Sequence, residues 1–240
     1  MFGVATLFGS NGVMLGMDYA TLATKYVGDT AARYQQRRDQ DSKWRAEDEA
    51  AAELLGRIAM GARALDVPVG TGRLLPFMNA RAFDAYGLDI SSDMLALANN
   101  RAAALGMKIK LGLGDIRDIP FDDDHFDFVS CLRFLNWVDH EGVTQAVREL
   151  ARVSRDKLLL GVRYLPPVHE IKRHRWPLVR LGMRALGAPN HVERRTGLCF
   201  QHKSFISDLF ETLGLQILVQ RHIERRIDGT DYVFFLLRKT

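Results

Sequence analysis

The sequence predicts a doubly wound α/β domain: a seven-stranded, mostly parallel sheet closed by a C-terminal antiparallel hairpin. Three observations carry this. From Arg63 onward, short apolar runs alternate with stretches of helical periodicity, which is the pattern of βα units in a parallel sheet. The first run, Ala64-Leu65-Asp66-Val67-Pro68-Val69-Gly70-Thr71-Gly72-Arg73, closes on an acid. It then passes through two alternating glycines into Leu74-Leu75-Pro76-Phe77-Met78, so it reads as strand, tight turn and helix start. The last two apolar runs are separated by Asp228-Gly229, a hairpin signal that sets the final strand antiparallel to its neighbour.

The elements follow in order. Residues 1–24 read as a disordered or weakly docked extension. Met1 to Gly16 carry no charge and lack the basic start of a signal peptide, and Met14 and Met17 are further candidate starts. Residues 25–240 read as one domain. N-terminal helices are expected within 29–60: Asp29 caps a helix through Ala31, Tyr34 and Arg38, and Lys43 to Ala59 sets Ala51, Leu54, Leu55 and Ile58 on one face. Strands are predicted near 64–68, 82–90, 108–114, 126–131, 157–164, 215–225 and 231–238, and helices near 73–80, 92–105, 141–153 and 203–213.

Composition excludes more than it identifies. The 240 residues suffice for a substantial core, and 47% hydrophobic with 26% charged residues is ordinary for a globular chain. A net charge of +4 is too weak a bias to indicate nucleic acid as a partner. Cys131 and Cys199 are far apart with no metal-ligand spacing, so no metal is expected and a reduced, cytoplasmic setting is the default. No apolar run reaches the length of a membrane span.

The glycine turn lets a backbone approach a nucleotide-like ligand, since glycine has no Cβ and tolerates positive φ. A dinucleotide fingerprint needs a third small residue where Leu75 stands, so that fingerprint fails. Asp66, before Gly70 and Gly72, suits a cationic ligand better than a pyrophosphate. Ligands of open α/β sheets lie outside the carboxyl ends of the strands. At the second strand end, Asp89 stands where an acid accepts ribose hydroxyls, and Ile90 and Met94 offer apolar faces to an adenine. Ser91 or Ser92 caps the helix that follows.

The glycine segment resembles the first motif of the class I S-adenosylmethionine-dependent methyltransferases, with Pro68 in the place of that family's first glycine. Gly112-Leu113-Gly114-Asp115-Ile116 is similar to the family segment whose Asp accepts the adenine amine while the next residue packs on the ring. Phe126 to Cys131, running into Leu132-Arg133-Phe134-Leu135-Asn136-Trp137-Val138, resembles the fourth strand and loop of the branch that holds ubiquinone- and menaquinone-pathway enzymes. The resemblance covers roughly residues 60–155. It implies a Rossmann-like methyltransferase fold, S-adenosylmethionine as cofactor, and Asp66, Val67, Pro68, Gly70, Gly72, Asp89, Ile90, Met94, Asp115, Ile116 and Leu132 at the cofactor. Tyr34, beside Arg37 and Arg38, resembles a segment that relatives fold over the methionine carboxylate.

A sulfonium methyl is already activated, so a base is needed only where the acceptor must lose a proton. Arg133, Asn136, Tyr164 and His169 are the weak catalytic candidates, and Tyr26 and Trp44 are candidates for the acceptor pocket. The loop after the fourth strand lacks the Asp/Asn-Pro-Pro-aromatic sequence of base-amine methylating enzymes and the Pro-Cys pair of cytosine-C5 enzymes, which leaves a small-molecule or lipid-like acceptor. Residues 166–202 form a basic, apolar-interleaved insertion. It suits a lid over an anionic acceptor or, through 166–187, peripheral contact with a membrane surface, and a solvated helix accounts for it equally. Two other readings stay open at this stage: an RNA methyltransferase using the insertion, and a non-catalytic S-adenosylmethionine-binding protein.

Overall fold

The computed structural model describes residues 42–165, 199–225 and 231–240, with isolated positions at 21, 24, 28, 30 and 33. Most of the predicted N-terminal extension, Tyr26, Tyr34, most of the basic insertion and the Asp228-Gly229 turn lie outside the described residues. The elements are α1 (Ser42–Leu55), β1 (Arg63–Asp66), α2 (Leu75–Ala80), β2 (Asp84–Asp89), α3 (Ser92–Ala104) and β3 (Ile109–Leu113). They continue with β4 (Phe126–Cys131), α4 (His140–Val153), β5 (Ser154–Leu165), β6 (Gln201–His202), α5 (Lys203–Thr212), β7 (Leu215–Arg225) and β8 (Asp231–Lys239).

The strands form one sheet in the order β3-β2-β1-β4-β5-β8-β7. β1 to β5 run parallel, and β8 is antiparallel to both β5 and β7, as the predicted hairpin requires. Alternate residues of the central strands point to opposite faces. Leu158, Leu160 and Val162 of β5, with Val233, Phe235 and Leu237 of β8, pack with α4 and α5. Leu159 of β5, with Tyr232, Phe234 and Leu236 of β8, packs with α1, α2 and α3. Both faces are therefore covered, which is why these strands read as continuous apolar runs rather than alternating ones.

Two expectations need correction. The sheet has eight strands, not seven: Gln201–His202 pairs parallel with the upper end of β5 at Tyr164 and Leu165. Two polar residues have no periodicity to read. They are held instead by the Gln201 amide, which donates to the loop after β4, at the carbonyls of Leu135 (3.3 Å) and Val138 (3.0 Å). The helix expected to reach Ala59 stops at Leu55, because past Gly56 the chain tightens into i→i+3 bonds, Arg57 N–H to Leu54 and Ile58 N–H to Leu55.

Register places the site. Asp66 lies opposite Gly87 on one side and Ser130 on the other, and Asp89 lies opposite Leu113. The carboxyl ends of β1 to β4 thus share one sheet edge, at the point where the strand order reverses between β1 and β4. The loop leaving β3 is clamped from below by α4. Arg152 donates to the carbonyls of Ile119 at 2.9 Å and Phe121 at 2.8 Å, while Glu149 pairs with Arg152 and accepts the Ile119 N–H at 3.0 Å. Arg152→Ala is expected to lower unfolding stability by about 1–2 kcal/mol, since several hydrogen bonds to a charged group are lost at a partly exposed site. An unchanged urea midpoint contradicts this role.

Candidate active site

A cleft of about 820 Å³, open to solvent, lies along this edge. The glycine loop contributes Val67, Pro68 and Gly70, and the β2 end contributes Asp89, Ile90, Ser91 and Met94. The β3 end adds Gly114, Asp115 and Ile116, and the loop after β4 adds Leu132, Arg133, Phe134 and Trp137. Most of the residues singled out from the sequence are therefore brought together.

The two glycines of the turn do different things. Gly70 has φ +54° and nothing within 4 Å of where a Cβ would stand, so its open side faces the cleft. Gly72, with φ +74°, is not at the cleft: a Cβ there would stand 2.7 Å from Leu75 Cδ1 and 3.2 Å from Ala98 Cα. Its lack of a side chain serves packing, because α3 passes too close for any Cβ.

Asp89 is 5% exposed and shapes the loop around it. Its carboxylate accepts the Gly70 N–H at 2.8 Å and the Ser91 N–H at 2.9 Å. Burial raises its pKa, against those backbone bonds. Ser91 caps α3, accepting the Met94 N–H at 3.3 Å. Ile90 is 39% exposed and presents an apolar side chain to the cleft, with Met94 and Ile116 buried behind. Asp115 is held by Arg117, which reaches its Oδ2 through Nη2 at 2.5 Å and its Oδ1 through the backbone N–H at 2.8 Å. Burial works to raise the Asp115 carboxyl, but the Arg117 bonds outweigh it and hold it below the usual range.

Asp66 sits one step deeper. It lines a second, adjoining cavity of about 410 Å³ that shares Pro68, Gly70, Leu132 and Arg133 with the cleft and adds Arg73. Asp66 is 3% exposed, and its Oδ1 accepts the Ser130 hydroxyl at 2.7 Å. Burial pushes its carboxyl up to about 7, against the Ser130 bond and the Arg73 charge. The ordinary value is 3.8, so between about pH 4 and 7 the folded chain holds a proton that the unfolded chain has released. Stability from this group is accordingly highest at the acid end of that window, falls as pH rises, and levels off above about 7. The difference in melting temperature between wild type and Asp66→Asn is expected to change across this window; a constant difference contradicts the burial effect.

Tyr164 is not brought to the cleft: it is buried among the α4 and α5 contacts, accepts from Gln220 Nε2 at 3.3 Å, and does not line the cleft. Asn136 is likewise buried and away from the lining. His169 lies outside the described residues. Arg133 is the catalytic candidate that reaches the cleft. Cys131 is buried in the core, and burial drives its thiol pKa upward, which removes it as a nucleophile.

Residues 64–157 match the family of methyltransferase domains. Over this segment the chain is similar to that family. The chain is 35% identical over 108 residues to the demethylmenaquinone methyltransferase of Thermus thermophilus, across 44% of this chain and 48% of that one. It is 35% identical over 99 residues to a phosphatidylethanolamine N-methyltransferase of Cereibacter sphaeroides, across 40% and 47%. The chain thus spans about half the length of these curated relatives. In fold it is similar to the magnesium protoporphyrin IX methyltransferase of Synechocystis, with a TM-score of 0.70 at 17% identity, covering 93% of this chain and 100% of that one.

The matched segment is joined at its second cavity by α1, which lies before it. Glu47, 2% exposed, pairs with Arg73 at 2.7 Å and with Arg133. Trp44, a candidate for the acceptor pocket, lies against the Arg133 guanidinium, 3.7 Å from ring centroid to Cζ. Glu47 and Arg73 were not recognisable as site residues from sequence. A lone Glu in a helix reads as solvated, and only the i, i+3, i+4 spacing of Trp44, Glu47 and Asp48 marks a shared face.

Proposed function

We propose that the chain is an S-adenosylmethionine-dependent methyltransferase acting on a small-molecule or lipid-like acceptor. The observation that carries this reading is the assembly, within the segment that matches methyltransferase domains, of Asp89, Asp115 and the open side of Gly70 along one cleft. The residues present fit such a donor. Apolar Ile90, Met94 and Ile116 beside Asp115 suit an adenine, and Asp89 suits a ribose. Asp66 opposite Arg73 in the adjoining cavity suits an α-ammonium and an α-carboxylate, and Arg73 Nη2 is buried with no hydrogen-bond partner among the described residues. When bound, the donor supplies an activated sulfonium methyl.

The carboxylates hold and orient; they move no proton to the acceptor. Leu132, Phe134 and Trp137 wall the cleft on the β4 side and exclude water around an apolar acceptor. Holding two reactants in line accounts for as much as about 7–11 kcal/mol of a barrier. Relatives named for demethylmenaquinone and phosphatidylethanolamine support an acceptor of lipid character. The cations of segment 166–202 support an anionic acceptor or contact with an anionic bilayer. No helix among the described residues is long and apolar enough to cross a membrane. The test is incubation of the protein with methyl-labelled donor and fractionated cell extract, followed by mass spectrometry. Label is expected in the small-molecule or lipid fraction. Label confined to RNA overturns the acceptor class.

A further inference from the structure

The amino-acid end of the proposed donor site is walled by two guanidinium groups, and both are held by α1. Glu47 accepts from Arg73 Nη1 at 2.7 Å, from Arg133 Nε at 3.1 Å and also from Arg133 Nη2. Asp48 accepts from Arg73 Nε at 2.7 Å. Trp44 stacks on the Arg133 guanidinium. The three α1 residues recur at i, i+3 and i+4, so one helix face supplies every one of these contacts.

Removing a carboxylate from water costs several kcal/mol unless it is well paired, and Glu47 is paired twice over. Arg133 has φ +65°, a left-handed conformation that a non-glycine residue keeps only where its surroundings fix it. Its backbone N–H donates to the Tyr232 hydroxyl at 3.1 Å, and Glu47 fixes the side chain from the other end. Arg73, 9% exposed, still has Nη2 without a partner among the described residues, on the residue that lines the cavity. A buried donor left unmet is costly, and an incoming carboxylate relieves that cost.

We propose that Glu47 is a positioning residue for the donor: it holds Arg73 and Arg133 at the amino-acid end of the cavity, so that docking of α1 and occupancy by an α-amino-acid carboxylate reinforce each other. This rests on the methyl-donor reading. Coupling of this kind is reciprocal: whatever α1 adds to binding, the ligand returns to α1.

The experiment compares two probes by calorimetry. S-adenosylhomocysteine carries the amino-acid chain, and 5′-methylthioadenosine keeps the adenosine and thioether but lacks it. Glu47→Gln is expected to weaken S-adenosylhomocysteine at least tenfold and to leave 5′-methylthioadenosine within twofold. Glu47→Asp, which keeps the charge but is too short to span both guanidiniums, is expected to fall between. Equal losses for both probes reduce Glu47 to a structural residue, no loss removes it from the site, and tighter S-adenosylhomocysteine binding makes it a competitor; each overturns the proposal. Hydrogen exchange of wild-type α1 reads the coupling without any variant. S-adenosylhomocysteine should slow exchange over 42–55 and 5′-methylthioadenosine should not; equal protection overturns it. Wild type binding neither probe is the failure of the donor reading itself.

Discussion

Asp89→Ala is expected to weaken S-adenosylmethionine binding by about 100-fold or more. Hydrogen bonds to a charged group contribute about 1.5–3 kcal/mol each, and every 1.4 kcal/mol or so is roughly tenfold in affinity. The Asp89 carboxylate has two duties. It accepts the Gly70 and Ser91 N–H groups, which sets the path of the glycine loop, and it faces the cleft with lone pairs left for a ribose. Loss of the carboxylate removes both at once. Asp89→Asn keeps one acceptor oxygen and is expected to lose less. Calorimetry on both variants, with the circular dichroism spectrum as a check on folding, measures the effect. A folded Asp89→Ala protein that binds the donor as wild type does contradicts the ribose role.

The second large effect separates the two glycines of the loop. Gly72→Ala combines positive φ with a methyl placed 2.7 Å from Leu75 and 3.2 Å from the α3 backbone. It is expected to lower unfolding stability by about 2–4 kcal/mol, the sum of overpacking and a left-handed residue. Gly70→Ala has the same φ sign but open space around it, so it is expected to cost only about 1 kcal/mol of stability. Its methyl projects into the cleft proposed for the donor, and binding is expected to fall more than tenfold. Denaturant unfolding and calorimetry on the pair check this. Gly70→Ala losing more stability than Gly72→Ala contradicts the assignment.

Most of the fold was legible in the sequence because its strands are buried on both faces. Runs such as Phe126-Asp127-Phe128-Val129-Ser130-Cys131 and Val233-Phe234-Phe235-Leu236-Leu237 fit no other pattern, and the ends of these two strands fell within about two residues of the observed ones. The site was legible where local chemistry carries it: an acid at a strand end, followed by a turn. What was not legible depends on contacts across long stretches of chain. Glu47 reaches Arg133, Ser130 reaches Asp66, and Tyr232 reaches the Arg133 backbone. Beyond its spacing from Trp44, nothing near Glu47 in the sequence distinguishes it from a solvated helix residue. The packing role of Gly72 was hidden for a related reason: the closeness of Ala98 belongs to tertiary packing, and the motif alone does not show it. Tyr164 shows the limit of reasoning from a strand end, since alternation along β5 turns its ring toward α4 and α5 rather than the cleft.

Two of the three acids of the site are tuned in opposite directions by their surroundings. Asp66, sealed away beside Ser130, is driven up to about 7 by burial, whereas Asp115 is kept below its usual range by Arg117 despite the burial that opposes it. Near neutral pH a cationic group arriving beside Asp66 favours its ionised form and releases a proton, while Asp115 is already charged. The contrast fits a ligand with an ammonium at one end and a neutral, hydrogen-bonding ring at the other.

Whether the cleft is a methyl-donor site is decided by calorimetric titration of the protein with S-adenosylmethionine, run in parallel with NAD. A single-site isotherm is expected for S-adenosylmethionine, and no heat above dilution for NAD. A folded protein that binds NAD, or that fails to bind S-adenosylmethionine, contradicts the donor assignment.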